Sequence, residues 1–177
     1  MKKKIKIRNI YIGGGSPVAV QSMTNTDTAD RERTLEQIKA LVSAGCEIVR
    51  FTVNSMDAVR NIPYYMENTS VPLVADIHFD YKLALESVAA GISKIRINPG
   101  NIGSDDRVKK VADACRNAGI SIRVGINGGS LEKEVLAKYG SPTAEAIAES
   151  AIMAASMILV LGLMVLVAFK DVWTLWS

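Results

Sequence analysis

Arg50, Arg96 and Arg123 each stand inside a run of otherwise apolar residues, and Asp76 does the same. A charge in such a run is costly to bury unless an opposite charge or strong hydrogen bonds meet it. A guanidinium offers planar pairs of N–H donors that match phosphate or carboxylate oxygens. Two chemistries follow. The arginines recur at corresponding places in successive segments, so they could converge on one anionic ligand. They could instead form interior ion pairs with Asp76 or Glu47. His78, the single histidine, follows Asp76 by two residues, which puts both on one face of an extended strand. It reads either as a site residue or as a satisfied structural imidazole. Asn98-Pro-Gly-Asn101 and Asn127-Gly-Gly-Ser130 follow two of the strands directly. Their amides could bind a polyol, or they could be plain turn formers.

The elements that must position these groups can be read from the hydrophobic period. Strand-like runs lie at 18–24, 47–53, 72–78, 94–98 and 121–127. Between them the period switches to that of a helix over 34–45, 55–68, 80–90 and 104–118. Pro63 is expected to interrupt the second of these helices. Asp80 is a candidate N-cap, the last of these helices starts at Ser104, and Gly45, Gly91 and Gly119 are placed to end helices. Strand-borne charges recur at intervals of roughly 20 to 27 residues, which suits βα units with parallel strands. Right-handed units of this kind close into a (β/α)8 barrel or open into a doubly wound sheet. No GxGxxG follows the first strand, and Gly13-Gly-Gly15 before it reads as a turn. In a barrel the polar strand ends converge on one mouth, where barrel active sites lie.

Composition narrows the classes further. At 177 residues the chain can bury a real core, and 49% apolar with 22% charged residues marks a globular protein. A net charge of +3 gives no ground for a nucleic-acid partner. Cys46 and Cys115 form no CxxC pair and read as core thiols in a reducing, cytoplasmic setting. The basic start Met1-Lys-Lys-Lys-Ile-Lys-Ile-Arg8 has no apolar stretch after it and is not a secretory signal. No Walker motif, Ser-His-Asp pattern or metal-ligand cluster is present, and Lys94 lies at a strand start, the wrong end for Schiff-base work in a barrel.

Four long motifs carry a resemblance. They are Val20-Gln-Ser-Met-Thr-Asn-Thr-Asp-Thr28, Leu73-Val-Ala-Asp-Ile-His-Phe-Asp80, Lys94-Ile-Arg-Ile-Asn-Pro-Gly-Asn-Ile-Gly103 and Ile122-Arg-Val-Gly-Ile-Asn-Gly-Gly-Ser-Leu-Glu-Lys133. Over residues 4–150 the chain resembles the 4-hydroxy-3-methylbut-2-enyl diphosphate synthase family of the methylerythritol phosphate route to isoprenoids. The resemblance implies a TIM barrel followed by a small domain with a 4Fe–4S cluster. It implies reductive opening of 2-C-methyl-D-erythritol 2,4-cyclodiphosphate with electrons from ferredoxin or flavodoxin, and a homodimer for an intact enzyme. By motif position Arg50, Arg96 and Arg123 would hold the diphosphate. Asp76, His78, Asn98 and Asn127 would make further substrate contacts, and Lys170 falls near a family lysine with the same role. The cluster ligands of the family, three cysteines and a glutamate, have no counterpart in Cys46 and Cys115. The expectation is therefore a partial barrel truncated after about six strands, five of them within a substrate domain over 1–150 and the next near Lys170, inactive on its own, with no cluster ligands in these residues.

Residues 151–177 differ in composition. From Ala151 to Phe169 no residue is charged, and Trp173 and Trp176 follow Lys170. Two readings compete for this apolar run of 19 residues. It has the length of a membrane span with an interfacial belt, which would make the chain a membrane-tethered diphosphate-binding module. It also reads as an altered version of the barrel's next helix and strand. In either case a helix is expected over 143–168, because Ala, Met and Leu dominate it.

Overall fold

The computed structural model describes residues 4–126, 131, 133–153 and 156. A short antiparallel hairpin, β1 (Ile5–Ile7) and β2 (Ile10–Ile12), comes first. Then β3 (Gln21–Met23), α1 (Arg31–Ser43), β4 (Ile48–Thr52), α2 (Met56–Glu67) and β5 (Leu73–Ile77) alternate. They are followed by α3 (Tyr81–Ala89), β6 (Lys94–Ile97), α4 (Pro99–Ile102), α5 (Asp105–Asn117), β7 (Ser121–Val124) and α6 (Lys133–Tyr139). Residues 144–153 are helical as well, with the Thr143 hydroxyl accepting from the Ala146 N–H at 3.2 Å.

Strands β3 to β7 form one parallel sheet in strict chain order. A doubly wound sheet reverses its order at a switch point. Among the described residues none occurs, and the five strands follow one another as they do in a barrel wall. The expected sixth strand, with Lys170, lies outside the described residues, as does most of the apolar run. Among the described residues no helix is long and apolar enough to cross a membrane.

The repeating unit is built by one local device. At the end of α1 the Gly45 N–H reaches the Val42 carbonyl and the Cys46 N–H reaches Leu41. The same pair of bonds ends α3, from Gly91 to Val88 and from Ile92 to Ser87, and ends α5, from Gly119 to Arg116 and from Ile120 to Cys115. This is the Schellman arrangement, and it requires a positive φ that glycine adopts without steric cost. Gly45 has φ 95°. Each helix thus stops at a fixed point and returns the chain to the sheet.

The N-terminal ends depart from expectation in places. Helix α1 starts at Arg31, three residues early, because Asp30 caps it by accepting from the Arg33 N–H at 3.2 Å. Asp80 caps α3 as expected, but Ser104 makes no side-chain cap at α5. Pro63 does not interrupt α2. Its ring is on the exposed side, while Ala58, Val59, Ile62 and Tyr65 are buried on both sides of it. Packing of that face outweighs one missing hydrogen bond. The strand expected over 18–24 pairs only at Gln21–Met23. Gly13-Gly-Gly15 forms a turn, closed by the Ser16 N–H on the Gly13 carbonyl at 3.0 Å.

The sheet has two unlike faces. Val49, Phe51, Val53, Leu73, Ala75, Ile77, Ile95 and Ile97 point outward into the main core beneath the helices. Phe51 meets Tyr65 edge-on at 5.6 Å. The inner face carries the polar residues. At its lower end Ile48 and Val74 pack with Ile7 of the hairpin, so the hairpin covers the N-terminal ends of the strands and leaves their C-terminal ends open. Both cysteines are buried in the outer core.

Candidate functional site at the strand ends

Strand register sets the inner face in tiers. Arg50 is level with Met23 and Val74, and Val74 with Lys94, which is level with Ser121. One tier higher Thr52, Asp76, Arg96 and Arg123 are aligned across four strands. His78, Asn98 and Gly125, each two residues further along, fall on the next tier. One-residue pairing errors would move every one of these groups to the outer face.

Asp76 is the hub. It is 2% exposed, and its Oδ1 accepts from Arg96 Nη1 at 2.8 Å. Its Oδ2 is 3.5 Å from Arg50 Nε, and His78 Nε2 is 3.6 Å from Oδ1. Arg50 Nε also donates to Met23 Sδ at 3.3 Å. One buried carboxylate therefore holds two guanidiniums, and the imidazole stands beside it. Arg123 adds a third guanidinium beside Arg96 and has no ion pair among the described residues. Of the two interior pairings open to the arginines, the one with Asp76 is realised. The one with Glu47 is not: its Oε2 accepts from the Val20 N–H at 2.9 Å instead. Three guanidiniums on two adjacent tiers against the one Asp76 carboxylate leave this part of the face with excess positive charge.

Asn98 is buried and sits at the head of α4, where its Oδ1 accepts from the Gly100 N–H at 3.2 Å. The segment expected to be a loop there is a short helical turn, because Asn98 is an N-cap and Pro99 has the fixed φ that a first helical residue needs. Asn127 and Lys170 lie outside the described residues. Asp76, His78, Arg96, Asn98 and Arg123 lie toward the C-terminal end of the inner face, and Arg50 lies one tier below Asp76, Arg96 and Arg123.

One residue of this face escaped the sequence reading: Met23, since a methionine in a strand reads as core. Lys94, expected at a strand start, is there and is 7% exposed, and its ammonium has no partner among the described residues. Burial holds its pKa below the usual lysine value, and the nearby Arg123 charge acts in the same direction.

The described residues do not fit an iron–sulfur cluster. Among the described residues no group of three His, Cys, Asp or Glu side chains could hold a metal ion. Burial pushes the Cys115 thiol up to about 12, whereas a cluster ligand must be a thiolate.

A parallel barrel wall with cationic side chains toward its C-terminal strand ends defines the class, a TIM-barrel domain with a positively charged mouth. The chain belongs to the GcpE TIM-barrel domain family, whose model matches residues 2–171. It is 58% identical over 152 residues to the 4-hydroxy-3-methylbut-2-en-1-yl diphosphate synthase (flavodoxin) of Caldicellulosiruptor saccharolyticus, covering 86% of this chain and 44% of that protein. It is 55% identical over 150 residues to the enzyme of the same name from Clostridium perfringens, covering 85% and 43%. The chain thus spans less than half the length of these relatives. Among solved structures it resembles the dihydropteroate synthase of Yersinia pestis, with TM-score 0.58 and 12% identity over 87% of this chain and 58% of the other. That likeness concerns the fold alone.

Proposed function

We propose that residues 1–150 are the substrate domain of a 4-hydroxy-3-methylbut-2-enyl diphosphate synthase, with 151–177 a segment of different composition attached to it. In this reading the mouth binds the cyclic diphosphate of 2-C-methyl-D-erythritol 2,4-cyclodiphosphate. The observation that carries it is the tier in which Asp76 and Arg96 stand beside Arg123, with Arg50 on the same carboxylate. Asp76 fixes the guanidiniums before ligand arrives, so less rotamer freedom is lost on binding. Arg96 and Arg123 neutralise the phosphoryl oxygens, and Arg50 adds charge from one tier below. His78 is partly exposed beside Asp76 and can donate a ring N–H to an outer phosphoryl oxygen. Asn98, Asn127 and Lys170 complete the contacts.

The relatives' names give flavodoxin as their electron partner. The same partner is proposed for the enzyme to which this domain belongs, acting on a 4Fe–4S cluster held outside the described residues. No redox step is assigned to the residues of the mouth, whose part is to bind and orient the diphosphate.

Inorganic pyrophosphate tests this reading by titration into the 177-residue chain. Charged hydrogen bonds contribute about 1.5–3 kcal/mol each. Arg96→Ala and Arg123→Ala should therefore each raise Kd by about tenfold or more, at 1.4 kcal/mol per decade. Binding that neither substitution weakens would overturn it.

A further inference from the structure

Gly125 is a glycine for a different reason from Gly45, Gly91 and Gly119. Those three have positive φ, and a Cβ on any of them would meet nothing within 4 Å. Gly125 is absent from the positive-φ glycines, so its backbone does not call for glycine. What it lacks is room. A Cβ built there would stand 2.7 Å from Arg96 Nη2 and 2.9 Å from its Cζ. The Arg96 guanidinium lies against the bare backbone of Gly125, with Nη2 3.5 Å from the Gly125 carbonyl oxygen. Its other end is held by Asp76 at 2.8 Å. Gly125 itself is held to the neighbouring strand, its N–H donating to the Ile97 carbonyl at 2.9 Å. A glycine inside a strand pattern often marks such a close approach.

We propose that Gly125 is a positioning residue for the anion site: its missing side chain forms the seat that sets the Arg96 guanidinium in its binding orientation. The inference rests on the diphosphate-site reading above and adds to it the residue that orients the arginine. Asp76 fixes one edge of the guanidinium and the Gly125 backbone fixes its plane. The three atoms nearest a methyl group at 125 all belong to the Arg96 guanidinium, and none of them is backbone. The fold can therefore absorb Gly125→Ala, but Arg96 cannot keep its place.

The test uses the 177-residue chain, inorganic pyrophosphate and the Arg96 Nε–Hε resonance in nitrogen-15 NMR spectra. Gly125→Ala should move that resonance while leaving the backbone amide pattern of β4 and β5 in place. It should raise the pyrophosphate Kd about tenfold. In an Arg96→Ala background the same substitution should change Kd less than twofold, since the group it displaces is gone. An unmoved Arg96 resonance would overturn the proposal, and so would equal losses of affinity in the two backgrounds. Failure of the wild-type chain to bind pyrophosphate would instead overturn the diphosphate-site reading and the binding role of the seat with it. A Gly125→Ala chain that does not fold would contradict the claim that the clash is confined to the Arg96 side chain.

Discussion

At the scale of single residues the account turns on Asp76. A buried carboxylate shared by Arg50 and Arg96 is a structural necessity and also a brake on anion binding, because it cancels charge that a phosphate would use. Asp76→Asn separates the two roles. It leaves Arg96, whose side chain is 9% exposed, without its counter-charge. Removing one partner of a buried pair costs about 3–5 kcal/mol. Thermal unfolding of the variant in plain buffer should therefore begin at a clearly lower temperature. Pyrophosphate should restore more stability to the variant than it adds to the wild type, since it then supplies the missing negative charge. An Asp76→Asn chain as stable as the wild type would contradict the hub.

At the scale of elements much was legible in the sequence. The four βα units, the glycine stops and the Asp80 cap all follow from period and turn chemistry, and the structure has them. Asp76, His78, Arg96 and Arg123 fall on one face because a strand alternates strictly. Three things were not legible. Pro63 looked like a break because propensity sees the lost hydrogen bond and not the buried face around it. Asn98 looked like a loop residue because an N-cap and a turn former are the same residue type. The seat at Gly125 needs a neighbouring strand in register, which one strand's sequence does not contain. Pro63 yields a prediction at this scale. It lies inside α2 with its side chain exposed, so Pro63→Ala supplies the missing N–H to the Val59 carbonyl. Proline in a helix interior is about 3 kcal/mol worse than alanine, less roughly 1 kcal/mol for the freer unfolded chain. Differential scanning calorimetry should give a higher Tm for Pro63→Ala, and a lower one would show that the proline is needed where it stands.

At the scale of the whole molecule, the barrel wall is covered on its outer face by helices and open at its C-terminal strand ends, and the inner face is more cationic than its own carboxylate can balance. Lys94 shows the cost of that arrangement. Its pKa is lowered in the folded chain by burial and then by Arg123, from 10.5. Below the lowered value the ammonium is charged in both states, and folding bears the full desolvation cost. Between the two values the unfolded chain binds more protons, so stability rises with pH, and above 10.5 the cost is gone. Lys94→Met should therefore raise Tm at pH 7, by about 2–4 °C for each 1 kcal/mol of relieved penalty in a chain of this size. The gain should shrink as pH approaches 10.5. A gain independent of pH would assign the effect to packing instead. The central claim concerns the mouth itself. Isothermal titration of the 177-residue chain with 2-C-methyl-D-erythritol 2,4-cyclodiphosphate, beside a variant with Arg50, Arg96 and Arg123 all changed to Gln, tests it most directly. The account predicts saturable binding by the first, weakening as salt is raised, and none by the second. Equal heats from the two proteins would contradict it.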